Sequence, residues 1–316
     1  MAVTTADRPP HTAAASGRKR SFPSLLAQLS RQSVDKHYDA FGDVAWDSEE
    51  MALDPGDPRL ALPAFDGLAQ TEWYQAQSPE VKARVGAHRV AAMMKTGWHF
   101  ENLLQQGLLK YAFRLPNGSP QFRYLHHEIA EESQHTMMFQ EFVDRTGLPV
   151  TGMPRTMVKL FEWGLSAITR FRPAAFFMAV LAGEEPVDYV QKLNLRSETI
   201  HPLVERIMRI HVVEEARHVS YARGLVKELV PGLNRVQTFF LSVTVPVMFG
   251  ILTPLMVSPP MQLEASGVPR SVIREAQRSE ANRALVRDSA AKPKRLAEEL
   301  GLMNRVSRRL WARFGL

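Results

Sequence analysis

The chain has 316 residues, 45% of them apolar and 23% charged, which is enough to bury a sizeable core and excludes a disordered protein. It has no cysteine, which excludes disulfides, thiolate zinc sites, iron–sulfur clusters and cysteine nucleophiles, so any metal must be held by His, Asp and Glu. The formal charge of +6 is concentrated at one end, where twelve Arg or Lys stand against five Asp or Glu from Arg270 onward.

In chain order, residues 1–35 are rich in Ala, Ser, Thr and Arg and lack a long apolar run, which predicts a disordered tail rather than a secretory signal. Residues 36–316 read as a single all-α domain, since alternating strand patterns are nearly absent. Pro79–Leu115 predicts one long helix, ended by the turn "PNGSP". Pro120–Gly147 predicts a second, with Ser119 as N-cap and a stop at Gly147-Leu148-Pro149. Pro154–Thr169 is amphipathic, and Pro173–Asn194 predicts a fourth helix kinked near Pro186. Ile200–Leu229 predicts a fifth, closed by Pro231-Gly232, and Asn234–Val257 a sixth. Phe239–Val257 is the most apolar stretch, but Pro246 and Pro254 lie within it, so it reads as a buried core helix and not a membrane span. Two polar helices, from Pro269 and Pro293, complete a basic segment over about 269–316. It carries no nucleic-acid motif and reads as a solvated face, the sharper alternative being a docking surface for an anionic partner.

Two pentapeptides carry the chemistry: "EESQH" at Glu131–His135 and "EEARH" at Glu214–His218. On a helix, Glu132 and His135 share a face, as do Glu215 and His218. One Glu-x-x-His is weak, but the second copy follows at an offset of 83 residues, and the same offset carries Glu101 onto Glu184. Both halves therefore read Glu, 31 residues, Glu-x-x-His, an internal duplication of a helix pair that selects Glu184 over Glu185. Four helices each pointing a carboxylate into an apolar core would need compensating cations. A single Glu on two helices with Glu-x-x-His on the other two is the donor pattern of ferritin-like di-iron and di-manganese proteins. His211 stands four residues before Glu215 and seven before His218, on the same stripe, and joins the ligand candidates. Its counterpart in the first half is Glu128, read as a supporting carboxylate together with Glu131, Glu185 and Glu214.

Four carboxylates (Glu101, Glu132, Glu184, Glu215) and three imidazoles (His135, His211, His218) resemble the site of the AurF-like di-iron oxygenases, the p-aminobenzoate N-oxygenase family. The match spans roughly residues 80–230, and the third histidine separates this pattern from ferritins, acyl-carrier desaturases and ribonucleotide reductase small subunits. The resemblance implies that all seven residues bind two irons within a ferritin-like core. It further implies dioxygen activation, N-oxygenation of an arylamine toward hydroxylamine or nitro products, an external electron donor and a homodimer. The ligand set suits manganese as well as iron.

Trp98, Phe100, Phe139, Phe176, Phe177 and Val180 are candidates for the wall of an aromatic pocket. An aminobenzoate would need a cation near the site, and Thr96 and Gly97 occupy the turn before Glu101; Arg89, Lys95 and Arg217 are the nearest cations by helix position. Two rival readings are a di-iron desaturase or hydroxylase acting on a carrier-bound acyl chain, which the basic C-terminus would suit, and a non-catalytic iron-storage protein. The lack of a secretory signal and of a membrane span leads to the expectation of a cytoplasmic protein.

Overall fold

A computed structural model describes residues 21–197, 199–259 and 263–316. Among these residues there is no β-strand, and the long elements begin and end where local chemistry requires. Helix α1 is Phe22–Asp35 and α2 the single turn Glu72–Gln75. The first core helix, α3 (Pro79–Ala112), is opened by Pro79 at its first position, with the Ser78 hydroxyl accepting from the Val81 N–H. Helix α4 (Pro120–Thr146) ends at Gly147, whose φ of 62° closes it in the left-handed conformation. Then come α5 (Arg155–Phe171), α6 (Pro173–Asn194) and α7 (Pro202–Leu229). Helix α8 (Arg235–Val257) starts with a capping box between Asn234 and Gln237. Four short helices finish the chain: α9 (Arg270–Arg278), α10 (Glu280–Ser289), α11 (Ala291–Glu299) and α12 (Arg305–Arg313).

The duplicated halves become two helix pairs. Helix α3 packs on α4 and α6 on α7, while α4 meets α7 and α3 meets α6, closing a four-helix core. The molecule is thus all-α with a ferritin-like core and additional helices wrapped around it. Helix α6 runs unbroken through the buried Pro186, which leaves the Ala182 carbonyl without its helical donor. Helix α5 crosses from one pair to the other, touching α3 and α6. Helix α8 covers α6 and is itself covered by α10 and α12; it is long and apolar enough to cross a membrane, and half of its most apolar window is buried inside the fold.

Two expectations are corrected. The predicted tail is shorter: residues 1–20 lie outside the described residues, but Phe22–Asp35 is a helix that buries Leu26 and Leu29 and packs on α4 and α7. Its apolar residues recur at helical spacing, a signal masked by the polar residues around them. The basic C-terminal segment forms four helices rather than two, each ended after about ten residues, and Val272, Ile273, Leu285, Leu296 and Trp311 from them are buried.

One close approach positions the segment before α2 against the core. An added Cβ on Gly86 of α3 would stand 1.8 Å from the Leu60 carbonyl oxygen, so only glycine lets the 3₁₀ turn Pro58–Leu60 lie on this helix. Gly86→Ala should therefore destabilise the fold by about 1–3 kcal/mol, despite a helix-propensity gain of up to ~1 kcal/mol. A lowered thermal midpoint would register this; an unchanged or raised midpoint would show that the turn yields freely.

Candidate metal centre

The four core helices bring all seven sequence-derived candidates together. Glu101 comes from α3, Glu132 and His135 from α4, Glu184 from α6, and His211, Glu215 and His218 from α7. None is more than 2% exposed. Their donor atoms converge in overlapping sets: Glu132 with His135, Glu215 and His218; Glu101 with His135 and His211; Glu184 with His211 and Glu215; and Glu101 with Glu132 and Glu184. Within each set, one donor atom per residue lies within 4.8 Å of the others.

The histidines show how the ring is built. His135 turns Nδ1 inward, 3.0 Å from Glu132 Oε2, and donates from Nε2 to Glu214 Oε2 at 2.9 Å. His218 mirrors it: Nδ1 lies 3.0 Å from Glu215 Oε1 and 2.9 Å from Glu132 Oε1, while Nε2 donates to Glu131 Oε2 at 2.8 Å. The first glutamate of each pentapeptide thus holds the histidine of the other. Arg217 ties the two supporting carboxylates together, 2.8 Å from Glu131 and 3.4 Å from Glu214, and the Tyr38 backbone N–H also donates to Glu214. His211 is reversed, with Nδ1 bonded to Gln191 Oε1 at 2.9 Å and Nε2 inward, 3.5 Å from Glu101 and 3.8 Å from Glu215. Each imidazole has one nitrogen fixed by a neighbour and the other aimed at the carboxylates, the arrangement that orients metal-binding histidines.

Burial and mutual charge set the protonation of the ring. Burial raises Glu101 and Glu184 well above the ordinary carboxylate range, and their carboxylate neighbours Glu132 and Glu215 push the same way. For Glu132, burial is outweighed by His218 and His135, which hold it well below that range. Burial opposes charge on His135, yet Glu132 and Glu214 raise it to about 9. His211 is lowered to about 4 by burial, reinforced by His135. Glu131 is resisted by burial but brought down to about 2 by His218 and Arg217.

These residues fit a pair of divalent cations. Glu101 Oε2, Glu184 Oε1, Glu215 Oε2 and His211 Nε2 are buried, face the ring and have no hydrogen-bond partner, which an uncompensated core does not tolerate. Hard oxygen donors with imidazole nitrogens suit iron or manganese.

Residues 20–301 match the family described as P-aminobenzoate N-oxygenase AurF. The chain belongs to this family. It is also 42% identical over 296 residues to uncharacterized proteins of Mycobacterium tuberculosis and Mycobacterium bovis, a span that takes in 92% of this chain and 86% of each relative. Membership in an oxygenase family is consistent with a buried Glu/His cluster that could hold metal ions.

The surroundings sort the remaining AurF-family expectations. Of the supporting carboxylates, Glu131 and Glu214 hold ring histidines, whereas Glu185 is held by Arg223 at 2.5 and 2.6 Å and borders a polar pocket that reaches Glu215. Glu128 is fully buried one turn before Glu132; neither of its oxygens has a hydrogen-bond partner, and it lies in none of the ligand clusters. Of the aromatic candidates, Phe139 lines the cavity that reaches Glu101, Glu184 and His211. Phe100, Phe176 and Val180 instead line an open apolar groove against α5 and α8, and Trp98 and Phe177 line neither. Among the cations, Arg217 is spent on Glu131 and Glu214, and Lys95 donates to Gln140 over the Trp98 ring. The sequence pattern does not single out Gln191, although it lies seven residues after Glu184 and therefore on the same helix face.

Glu131→Gln and Glu214→Gln should each weaken metal affinity by roughly 10- to 100-fold, the usual effect of losing a partner that holds a ligand histidine. Metal affinity should also rise with pH through the neutral range. His135 keeps its proton up to about 9, and metal must displace it, so protons compete below that pH. Competition titrations with a chelator at several pH values measure both effects; flat pH dependence and unchanged affinity in both variants would contradict the arrangement.

Proposed function

We propose that the chain is a non-haem di-iron, O2-dependent monooxygenase that N-oxygenates an amine of the arylamine class. The observation that carries this reading is the third imidazole, His211, inside a fully buried ring of four carboxylates and two further histidines, in a chain that belongs to the AurF family. Glu101, Glu132, His135, Glu184, His211, Glu215 and His218 would hold the two ions. Bound there, a di-iron centre would supply electrons to reduce dioxygen, so that one oxygen atom of O2 is transferred to the amine nitrogen and the other leaves as water, with an external donor replacing the electrons.

The chain's own residues do the rest. The ring excludes bulk water, since every donor is buried, and this protects a reactive oxygen species from being quenched. Glu131, Glu214 and Gln191 fix the orientation of the three imidazoles, so their inward nitrogens need no rearrangement. Substrate has access from the Glu101, Glu184 and His211 side, where the cavity meets the ring and Phe139 offers an aromatic wall. Manganese in place of iron remains compatible with the donor set.

The test is a single-turnover reaction of the anaerobically reduced, iron-loaded protein with 18O-labelled dioxygen and a panel of arylamines, read by mass spectrometry. Label in a hydroxylamine or nitro product is the expected result, with a loss of at least 100-fold in His211→Ala. Oxygen consumption without any labelled nitrogen product, or activity confined to carrier-bound acyl chains, would overturn it.

A further inference from the structure

The cavity that meets the metal ring is a tunnel built by three helix stripes, each of which starts at a candidate ligand. On α3 the stripe runs backward in steps of four: Glu101, Gly97, Met93, Arg89. On α6 it runs forward: Glu184, Val187, Gln191, Asn194. On α7 it runs backward again, His211, Met208, Val204, and ends at the N-cap His201. Residues three or four apart share a helix face, so the three stripes are parallel and the tunnel follows the bundle axis away from the ring. Twelve residues of α3 separate its ends, a length of about 18 Å at the rise of an α-helix. A single-ring amine with its nitrogen at the metal end would leave most of that length unfilled.

The wall between the ends is mostly apolar, with the Gln191 amide accepting from His211 and the Asn194 amide donating to the Val190 carbonyl, and its methionines are unbranched and adaptable, which lets a narrow passage open around an elongated guest. Charge is balanced at the far end. Among the described residues, the cations lining the tunnel are Arg59 and Arg89, and each already has a carboxylate. Arg59 grips Asp57 at 2.6 Å. Arg89, only 5% exposed, reaches Asp66 at 3.2 Å through Nε and donates from Nη1 to the Pro259 carbonyl at 2.9 Å. A substrate carboxylate entering here would be desolvated without a free cation to meet it.

Resting on the N-oxygenase reading, we infer that the substrate is an uncharged, elongated arylamine whose apolar tail occupies this tunnel, and not an aminobenzoate. The tail lies along the Gly97–Met93 and Val187 walls, and the Arg89–Asp66 pair closes the far end to anions.

The experiment is calorimetric binding to the iron-loaded protein under nitrogen, which reads affinity and not turnover. The probes are 4-hexylaniline, aniline, 4-aminobenzoate and 4-(4-aminophenyl)butanoate. 4-Hexylaniline should bind at least tenfold more tightly than either acid. Met93→Trp, which blocks the tunnel midway, should weaken 4-hexylaniline at least tenfold and leave aniline within twofold; Val187→Phe does the same from α6 if the first variant fails to fold. Asp66→Asn, which frees Arg89, should tighten the butanoate at least fivefold and leave 4-hexylaniline unchanged. Indifference of 4-hexylaniline to both blocking variants would overturn the tunnel, since the guest would then sit elsewhere. Wild-type preference for either acid, or an Asp66→Asn variant without gain, would overturn the charge argument. Failure of the oxygenase reading is distinguishable, because it would abolish labelled product while leaving these affinities intact.

Discussion

Everything in this molecule is arranged around the cost of placing four carboxylates in an apolar core. An isolated buried carboxylate is too expensive to keep ionised, and a cluster of them more so. Two partial answers are visible in the fold. Imidazoles are interleaved with the carboxylates, and the outward nitrogen of each is anchored by a group outside the ring. The crosswise links, Glu214 to His135 and Glu131 to His218, bind the two halves of the duplication to each other through their functional residues. Neither helix pair is complete alone: each supplies the glutamate that holds the other's histidine. Orphaned oxygens on Glu101, Glu184 and Glu215 remain, and metal ions would complete that balance.

Much of this was legible in the linear chain because a ligand set is periodic. The offset of 83 residues paired Glu101 with Glu184 and selected it over Glu185, and the structure holds Glu185 on Arg223 instead. The long core helices were legible as well, since prolines at their starts and Gly147 at the end of α4 mark boundaries by backbone geometry alone. What the pattern missed depended on tertiary contact. Helix α1 looks polar until its few apolar residues find α4 and α7. The aromatic candidates share helices with the ligands, but Phe100, Phe176 and Val180 point to the α5–α8 side and Phe139 to the cavity, a distinction of helix face that residue type does not encode.

The duplication also shows how a symmetric scaffold becomes an asymmetric site. Position 211 carries histidine where position 128 carries glutamate, and only His211 enters the ligand clusters. Glu128 stays fully buried beside Tyr124 and Tyr221, and burial raises it well above the ordinary carboxylate range. The cavity opens on the same side as His211, bounded by Glu101 and Glu184. The second half of the chain therefore carries a ring-facing imidazole on the side where the cavity opens, while the first half carries a buried carboxylate at the matching position.

If metal ions offset the buried carboxylates, these seven residues should hold two of them per chain. The most direct measurement is metal stoichiometry after anaerobic loading with ferrous ion and removal of excess, by elemental analysis of the wild-type chain and of Glu132→Ala. Two ions per chain are expected in the wild type and fewer than one in the variant, since Glu132 stands between both Glu-x-x-His histidines. Absence of bound metal in the wild type, or two ions retained in Glu132→Ala, would contradict it.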